Sequence, residues 1–385
     1  MQRTYQYRLY PTPQQRDALN MILRQSCLLY NEVLEHRRHV YKHAGQSVSY
    51  PAQWRRFKED RKERVEDFGL LNATSVQQLL RRLDKSFTSF FRRLKAGDKP
   101  GFPRFKPTTR FRSVEYRHND GCKLSDDKLY VRHVGDVPVK LHRAVPEGCL
   151  KQVVITRKAG DRWFVSFQGD DGCDPAPLKG GKAVGIDIGL SSLLAFSDGT
   201  LIDNPRWFRR SLKKLRRTQR ALARKTRFSS RWRKTKCQLE TLHWKIGNQR
   251  RHFLHKLTHR LTDTFALIAV EDVSPSFMLA NPRLALSASD ASWHLFRSML
   301  DYKAERAGCL IVEVEARYTS QACSGCGKIE KKLLSQRWHA CTCGTELNRD
   351  VNAAVNILNK ARCGPTEPNV EVVNSSVLRQ KADAL

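Results

Sequence analysis

Four cysteines late in the chain have the spacing of a metal site. Cys323 and Cys326 form a C-x-x-C pair, and fourteen residues later Cys341 and Cys343 form a C-x-C pair. Four thiolates at such spacing are typical of tetrahedral Zn²⁺ in a zinc ribbon or knuckle, and the glycine after each pair allows the tight turn. A disulfide fits poorly in a reducing compartment. We predict one structural Zn²⁺ ion, since four thiolates leave no open position for catalysis.

Three acidic positions could supply oxygen ligands for other ions. Asp187 lies in an apolar, strand-like run. Glu271 and Asp272 end a second apolar run, residues 265–270, and periodicity does not say which of the two acids faces a site. Asp350 begins a segment with helical periodicity, where an acid can also serve only as a cap. Each acid alone therefore has an ordinary structural explanation.

Considered together, the acids support a stronger hypothesis. Two strands and one helix, each offering one carboxylate, could hold two Mg²⁺ ions about 4 Å apart, with the scissile phosphate clamped between the attacking water and the leaving oxygen. Carboxylate oxygens are the hard ligands that Mg²⁺ prefers. The combination predicts metal-dependent phosphodiester hydrolysis.

The charge of the chain indicates a polyanionic partner. Its 385 residues contain 70 Lys and Arg against 38 Asp and Glu, a formal net charge of +32 at pH 7. Such a surplus opposes folding by self-repulsion unless it is neutralised, and nucleic acid is the commonest cellular polyanion. With 40% hydrophobic residues the chain can bury more than one core, so its composition excludes general disorder.

A long basic helix, predicted over residues 207–262, concentrates this charge. Its one acidic residue is Glu240, whereas a solvated helix face usually mixes both signs. We therefore expect phosphate contacts along it, each adding about one unit to the salt dependence of binding. The expected contact residues are Arg209, Arg210, Lys213, Lys214, Arg216, Arg217, Arg220, Arg224, Lys225, Arg231 and Lys234.

The first half of the chain predicts a β domain with helices inserted into it. A strand over Arg3–Tyr10 is followed by a capping box, Thr12 with Gln15, and by two amphipathic helices. Strands follow to about residue 168, which favours a small antiparallel barrel or sandwich. The predicted buried helix faces are Leu19, Ile22, Leu23, Tyr30, Val33 and Leu34, then Val76, Leu79, Leu83, Phe87, Phe90 and Leu94.

No apolar run is long enough to cross a bilayer, and the N-terminal residues lack a secretory signal. We therefore expect no membrane association and a cytoplasmic protein whose cysteines stay reduced.

Several sequence blocks resemble the TnpB proteins of bacterial insertion sequences. They are YQYRLYP at residues 5–11, KPGFPRFK at 99–106, GIDIGL at 185–190, the basic helix, VEDV at 270–273, RYTSQACSGCG at 317–327 and CGTELNRDVNAA at 343–354. The resemblance covers essentially residues 2–361. It departs from the family pattern in the C-x-C form of the second cysteine pair and in Asn348, where the family often has Asp.

The resemblance implies an RNA-guided DNA endonuclease with a RuvC-type, RNase H-like nuclease domain. The family's nuclease acids fall on Asp187, Glu271 and Asp350, which implies Glu271 rather than Asp272. It also implies a guide RNA from the transposon end and a double-stranded DNA target beside a short motif read by the N-terminal domains. We expect a monomer in complex with RNA, located in the bacterial cytoplasm and at the nucleoid when DNA-bound.

The expected fold is a multidomain α+β chain: an N-terminal β-barrel with an inserted helical bundle, then an RNase H-like (RuvC) α/β nuclease domain with an inserted zinc ribbon or knuckle. The expected divisions are 1–11, the first barrel strand; 12–100, the helical recognition domain; 101–178, the rest of the barrel; 179–319, nuclease segments I and II; 320–345, the zinc-binding module; 346–361, nuclease segment III; and 362–385, a mobile tail.

Three alternatives stay open at the level of sequence. A compact type V CRISPR effector shares this nuclease and differs mainly in its RNA and its genomic neighbours. A non-cleaving nucleic-acid-binding regulator would use the zinc module and the basic helix while its acids are vestigial. A transposase that joins ends by itself shares the RNase H fold but needs less basic surface.

Overall fold

The computed structural model describes residues 2–145, 150–170, 172, 174–272, 281, 285–333 and 336–363. The chain divides into two compact units, Met1–Cys173 and Asp174–Leu385. Every described helix is too short or too polar to span a bilayer. Most of the predicted tail, residues 364–385, lies outside the described residues.

The first unit is built on a closed barrel of strand order β1-β5-β4-β3-β2-β6-β7. β1 pairs antiparallel with both β5 and β7, so the first strand closes a sheet whose other members follow the helices. β6 and β7 form the hairpin that the sequence predicted. The strands are β1 (Gln2–Leu9), β2 (Ser113–His118), β3 (Gly121–Ser125), β4 (Lys128–Val131), β5 (Gly135–Lys140), β6 (Leu150–Lys158) and β7 (Arg162–Asp170).

Four helices lie between β1 and β2: α1 (Pro13–Ala44), α2 (Tyr50–Glu63), α3 (Val65–Phe68) and α4 (Ala73–Lys95). The predicted capping box at Thr12 and Gln15 is present, and the predicted face of α1 is buried. The helices pack on one another as expected, and their apolar faces continue into a single core with the barrel interior.

The prediction for the second amphipathic helix is wrong at its end. The first half of α4 packs on the barrel, where Ser75 Oγ donates to the Glu115 carbonyl and Arg82 donates to Ser113 Oγ. β2 begins at Ser113, so the last turns of α4 extend past the strand. Phe87 and Phe90 are consequently half-buried and Leu94 is 53% exposed.

The second unit contains a five-stranded sheet of order β10-β9-β8-β11-β12. β8, β11 and β12 are parallel, and β9 and β10 are antiparallel additions at one edge. A separate hairpin, β13 with β14, follows later in the chain. The strands are β8 (Ala183–Ile188), β9 (Ser192–Phe196), β10 (Leu201–Asp203), β11 (Leu267–Asp272), β12 (Leu310–Glu315), β13 (Trp338–Ala340) and β14 (Glu346–Asn348).

The basic helix predicted over 207–262 is two helices. α5 ends at Ala223, and α6 begins at Ser230 after Ser229 caps it by accepting from the Trp232 N–H. Phe228, just before the cap, has a left-handed backbone with φ 70°. The serine cap starts a new helix within a stretch that charge and periodicity alone suggest is one continuous helix. The helices of this unit are α5 (Trp207–Ala223), α6 (Ser230–Thr264), α7 (Ala285–Ala291), α8 (Trp293–Ala307) and α9 (Arg349–Cys363).

One glycine sets the approach of α9 to the sheet. A Cβ atom on Gly185 of β8 would lie 2.0 Å from the Ala354 carbonyl oxygen of α9. The backbones of α9 and β8 are therefore in direct contact here, and any side chain at residue 185 would force them apart. This contact brings the first turn of α9 towards the C-terminal end of β8.

Candidate metal centres

Asp187 lies near the C-terminal end of the central strand β8 and accepts a hydrogen bond from the Ile188 N–H. Burial, followed by the charges of Glu271 and Asp350, raises the pKa of Asp187 to about 8, and Arg349 opposes this. Repulsion of this kind requires carboxylates that lie near one another. The structure therefore brings the three predicted acids, far apart in sequence, into one electrostatic group.

Glu271 lies at the C-terminal end of β11, beside β8 on one side and β12 on the other. The Thr319 hydroxyl donates to its Oε1 atom. Burial raises the pKa of Glu271, while the Thr319 hydrogen bond and the charge of Lys360 oppose the increase. The neighbouring acid, Asp272, is exposed, because successive side chains of a strand point to opposite faces.

Asp350 is the acid of the first turn of α9. The capping role belongs to Asn348, whose Oδ1 accepts from the Asp350 N–H at 2.8 Å. The side chain of Asp350 is therefore not needed to cap the helix. Asn348, where the family often has Asp, thus supplies the cap, and either side chain offers the oxygen that this role requires.

The three carboxylates are less tightly grouped than the cysteines. Among the described residues, only the four-cysteine group has ligand atoms that all lie within 4.8 Å of one another. A two-ion site does not require a group that tight, because ligands on opposite sides of two Mg²⁺ ions about 4 Å apart can be about 8 Å from each other.

The four cysteines form one compact group, with all four Sγ atoms within 4.8 Å of one another. Sγ of Cys323 lies 3.6 Å from Sγ of Cys343, and Sγ of Cys326 lies 3.6 Å from Sγ of Cys341. A tetrahedral Zn²⁺ with bonds of about 2.3 Å places its sulfurs roughly 3.8 Å apart. Each distance joins one cysteine of the C-x-x-C pair to one of the C-x-C pair, so the two pairs face each other as the ligands of one ion would.

The turns around this site show why its glycines are needed. Gly327 and Gly344, after the two pairs, have φ values of 76° and 89°, in the left-handed region that glycine favours. Hydrogen bonds from the hydroxyl and N–H of Thr345 lower the pKa of Cys343 to about 6, which favours the thiolate that a metal requires. The β13–β14 hairpin holds this pair of cysteines.

The predicted nucleic-acid contacts lie on α5, on the following turn and at the start of α6. Ten of the eleven side chains are exposed, and Lys225 is partly buried against the Thr235 hydroxyl. Within the described residues none of the eleven side chains forms an ion pair with a carboxylate. The positive charges of this surface are therefore not neutralised by carboxylates, and they are available for phosphate groups.

Sequence reasoning missed the residue that orients the basic helices. The buried carboxylate of Asp290, in α7, accepts from the backbone N–H groups of Phe208 and Arg209 at 3.2 and 3.3 Å and from Arg250 of α6 at 2.7 Å. Asp290 thus caps α5 from another element and links it to α6. No local signal could reveal this, since more than 80 residues separate the cap from its helix.

Three family models match parts of the chain. Residues 163–281 match the OrfB_IS605 model, described as "Probable transposase". Residues 293–357 match the model "Cas12f1-like, TNB domain", and residues 1–46 match "Helix-turn-helix domain". In the structure the described part of the last region is β1 and one continuous helix, α1. The matches define a class of transposon-associated proteins.

Two relatives that match most of the chain show its family. The chain is 33% identical over 365 residues to a Streptomyces pristinaespiralis protein named "Putative RNA-guided DNA endonuclease", covering 93% of this chain and 89% of that one. It is 32% identical over 302 residues to InsQ of Escherichia coli K12, which has the same description, covering 74% and 73%. The chain belongs to the TnpB family.

A solved structure supports the fold. The chain superimposes on a cryo-EM structure of a Cas12f1-sgRNA-target DNA complex with a TM-score of 0.58 and 16% identity, covering 90% of this chain and 83% of the Cas12f1 chain. At this identity the likeness establishes a shared fold alone.

Proposed function

We propose that this protein is an RNA-guided DNA endonuclease of a bacterial insertion sequence, which acts in the cytoplasm as a monomer bound to its guide RNA. It cleaves double-stranded DNA beside a short flanking motif by metal-dependent phosphodiester hydrolysis. The observation that carries the proposal is the electrostatic grouping of Asp187, Glu271 and Asp350 at adjacent ends of β8, β11 and α9.

The three acids would hold the Mg²⁺ ions. When bound, the two ions would activate water and stabilise the charge on the scissile phosphate. Asp187 is the central ligand, because both other acids act on it. Its raised pKa keeps a proton on this carboxyl near neutral pH, and ion binding must release that proton. Thr319 holds one oxygen of Glu271, so the other can face an ion.

The RuvC-type assignment of the second unit rests on the strand order and on the placement of the acids. Open α/β sheets place ligands at the carboxyl ends of their strands. Here two parallel strands, β8 and β11, end in the proposed ligands and α9 supplies the third. Zinc bound by the four cysteines would be structural, because four thiolate ligands leave no coordination position for a substrate.

The basic face of α5 and α6 would hold the nucleic acid by its backbone. Base pairing between guide and target supplies the sequence specificity, so the protein has to recognise only phosphates and A-form geometry. A surface of exposed, unpaired Lys and Arg suits that task. A guide RNA and a DNA target are therefore the proposed partners.

The test compares two adjacent acids. The protein is purified from cells that carry its native locus, the bound RNA is sequenced, and cleavage of a matching duplex is measured with Mg²⁺. E271Q should abolish cleavage and retain the RNA, whereas D272N, which alters an exposed acid beside it, should cleave like wild type. Cleavage that survives E271Q would overturn the site, and a random mixture of bound RNA would favour the non-cleaving regulator.

The match of residues 293–357 to the Cas12f1-like domain model favours a type V CRISPR effector as the second candidate. Both candidates use the same site, so the RNA distinguishes them. A transcript from the transposon end supports the first, and a transcript from a neighbouring repeat array supports the second.

A further inference from the structure

The segment that follows β12 connects the acid site with the zinc site. It starts at Ala316, passes Thr319 beside Glu271, and enters the first zinc pair at Cys323. Thr319 is 2% exposed, so its hydroxyl is shielded from solvent. The segment thus touches one proposed ligand of each metal centre within five residues.

The Thr319 hydroxyl has a single proton and two neighbours that could accept it. One is Oε1 of Glu271, and the other is the Ala316 carbonyl oxygen at 3.0 Å. A bond to a charged acceptor is the stronger of the two, so the proton points to the carboxylate when Glu271 is ionised. This bond fixes the rotation of the Glu271 carboxylate and leaves its second oxygen for a metal ion.

Three side chains of α9, spaced four residues apart on one face, hold the segment in place. Asn356 Nδ2 donates to the carbonyl oxygens of Thr319 and Ala322, both at 2.8 Å. Lys360 Nζ donates to the Glu315 and Arg317 carbonyl oxygens at 3.0 and 2.6 Å. These bonds satisfy carbonyl groups at the end of β12 and in the segment that follows it.

The third side chain, Asn352, is fully buried and holds the start of the zinc turn. Its Nδ2 donates to the Ala322 carbonyl at 2.7 Å, and its Oδ1 accepts from the Ser324 N–H at 2.9 Å. Cys323 lies between these two bonds. The first zinc ligand and Thr319 are therefore anchored on the same face of α9.

We propose that Thr319 is a positioning residue for Glu271, and that Asn352, Asn356 and Lys360 connect its placement to the zinc-bound turn. The inference rests on the proposed function. It predicts that the zinc module supports the affinity of the acid site for its ions. Hydrogen-bond partners of metal ligands typically contribute 10- to 100-fold to metal affinity or activity.

The experiment measures metal binding as well as cleavage. Mn²⁺ binding to the protein–RNA complex is titrated by electron paramagnetic resonance. Ions that the E271Q complex does not bind are assigned to the acid site. In parallel, single-turnover cleavage is measured against Mg²⁺ concentration, and zinc content is determined for each variant. The variants are T319V, T319S and N356A.

T262V is the matched control, because Thr262 is also buried and its hydroxyl bonds within α6 alone. T319V should weaken Mn²⁺ binding by about 10- to 100-fold and raise the Mg²⁺ midpoint of cleavage by a similar factor. T319S, which keeps the hydroxyl, should restore both. N356A should weaken Mn²⁺ binding while one zinc per chain is retained.

Two results would overturn the inference while the proposed function stands: T319V binding Mn²⁺ as wild type and T262V do, or T319S being as defective as T319V. The second result would show that packing, and not the hydroxyl, matters. A wild-type complex that neither cleaves nor binds more Mn²⁺ than E271Q would overturn the proposed function, and the inference with it.

Discussion

Replacing Asp187 by Asn should stabilise the protein in magnesium-free buffer at pH 8 and make it the less stable form once Mg²⁺ is added. The unfolded carboxyl ionises near the ordinary pKa of 3.8, while the folded one keeps its proton to about 8. Wild type therefore loses stability as pH rises between these values. Asn cannot ionise, so the two stability curves should meet near pH 4 and separate towards pH 8.

The magnitude follows from the same pKa difference. At about 1.4 kcal/mol per pH unit, a pKa raised from 3.8 to about 8 costs about 6 kcal/mol of folding free energy above pH 8. Asp187 keeps some solvent contact, and screening reduces this to about 2 kcal/mol. For a unit of this size, 2 kcal/mol corresponds to a rise in Tm of about 4–8 °C.

Calorimetry of the zinc-loaded protein from pH 4 to pH 9, with and without Mg²⁺, measures both effects. Mg²⁺ at a hundredfold excess over its Kd should stabilise wild type by about 2.7 kcal/mol and D187N far less. D272N should follow wild type in every condition. A D187N protein that is less stable than wild type at pH 8 without Mg²⁺, or that gains as much from Mg²⁺, would refute the grouping of the acids.

Two further variants test the scaffold and the basic surface. G185A should destabilise the second unit by about 1–3 kcal/mol in denaturant unfolding, since its Cβ would lie 2.0 Å from the Ala354 carbonyl oxygen. Unchanged stability would contradict the close packing of α9 on β8. K213E with R217E should weaken RNA binding and lower the salt slope by about two, one per lost phosphate contact, whereas unchanged binding would exclude α5 from the interface.

The features that the sequence predicted well depend on short-range signals. The Thr12–Gln15 box caps α1, and a β6–β7 hairpin forms at the predicted place. Cys323 and its three partners meet because each pair is positioned by its own turn. In these cases the residues that determine the structure are neighbours in sequence, so spacing and residue type carry most of the information.

The wrong predictions have two causes. A single capping residue can interrupt a helical pattern, and tertiary contacts decide whether an apolar face is buried. The helix predicted across 207–262 is interrupted after Ala223, and Ser229 caps the start of a second helix. Leu94 fits the apolar face of α4, yet it is exposed because the strand beneath that face begins only at Ser113. Periodicity identifies a face that is suited to burial, but it cannot say how far the covering element extends.

The acid site is where sequence reasoning needed the fold most. Asp350 at a helix start has the obvious alternative role of a cap, and the structure assigns that role to Asn348. Glu271 and Asp272 differ only in the face of the strand they occupy, and the buried hydroxyl that contacts Glu271 comes from 48 residues away. The spacing of residues in the sequence therefore predicts which carboxylates are candidates. Long-range packing decides which of them lie close enough to interact electrostatically. For that reason the pKa of Asp187, which depends on all three acids together, is the most direct experimental measure of the site.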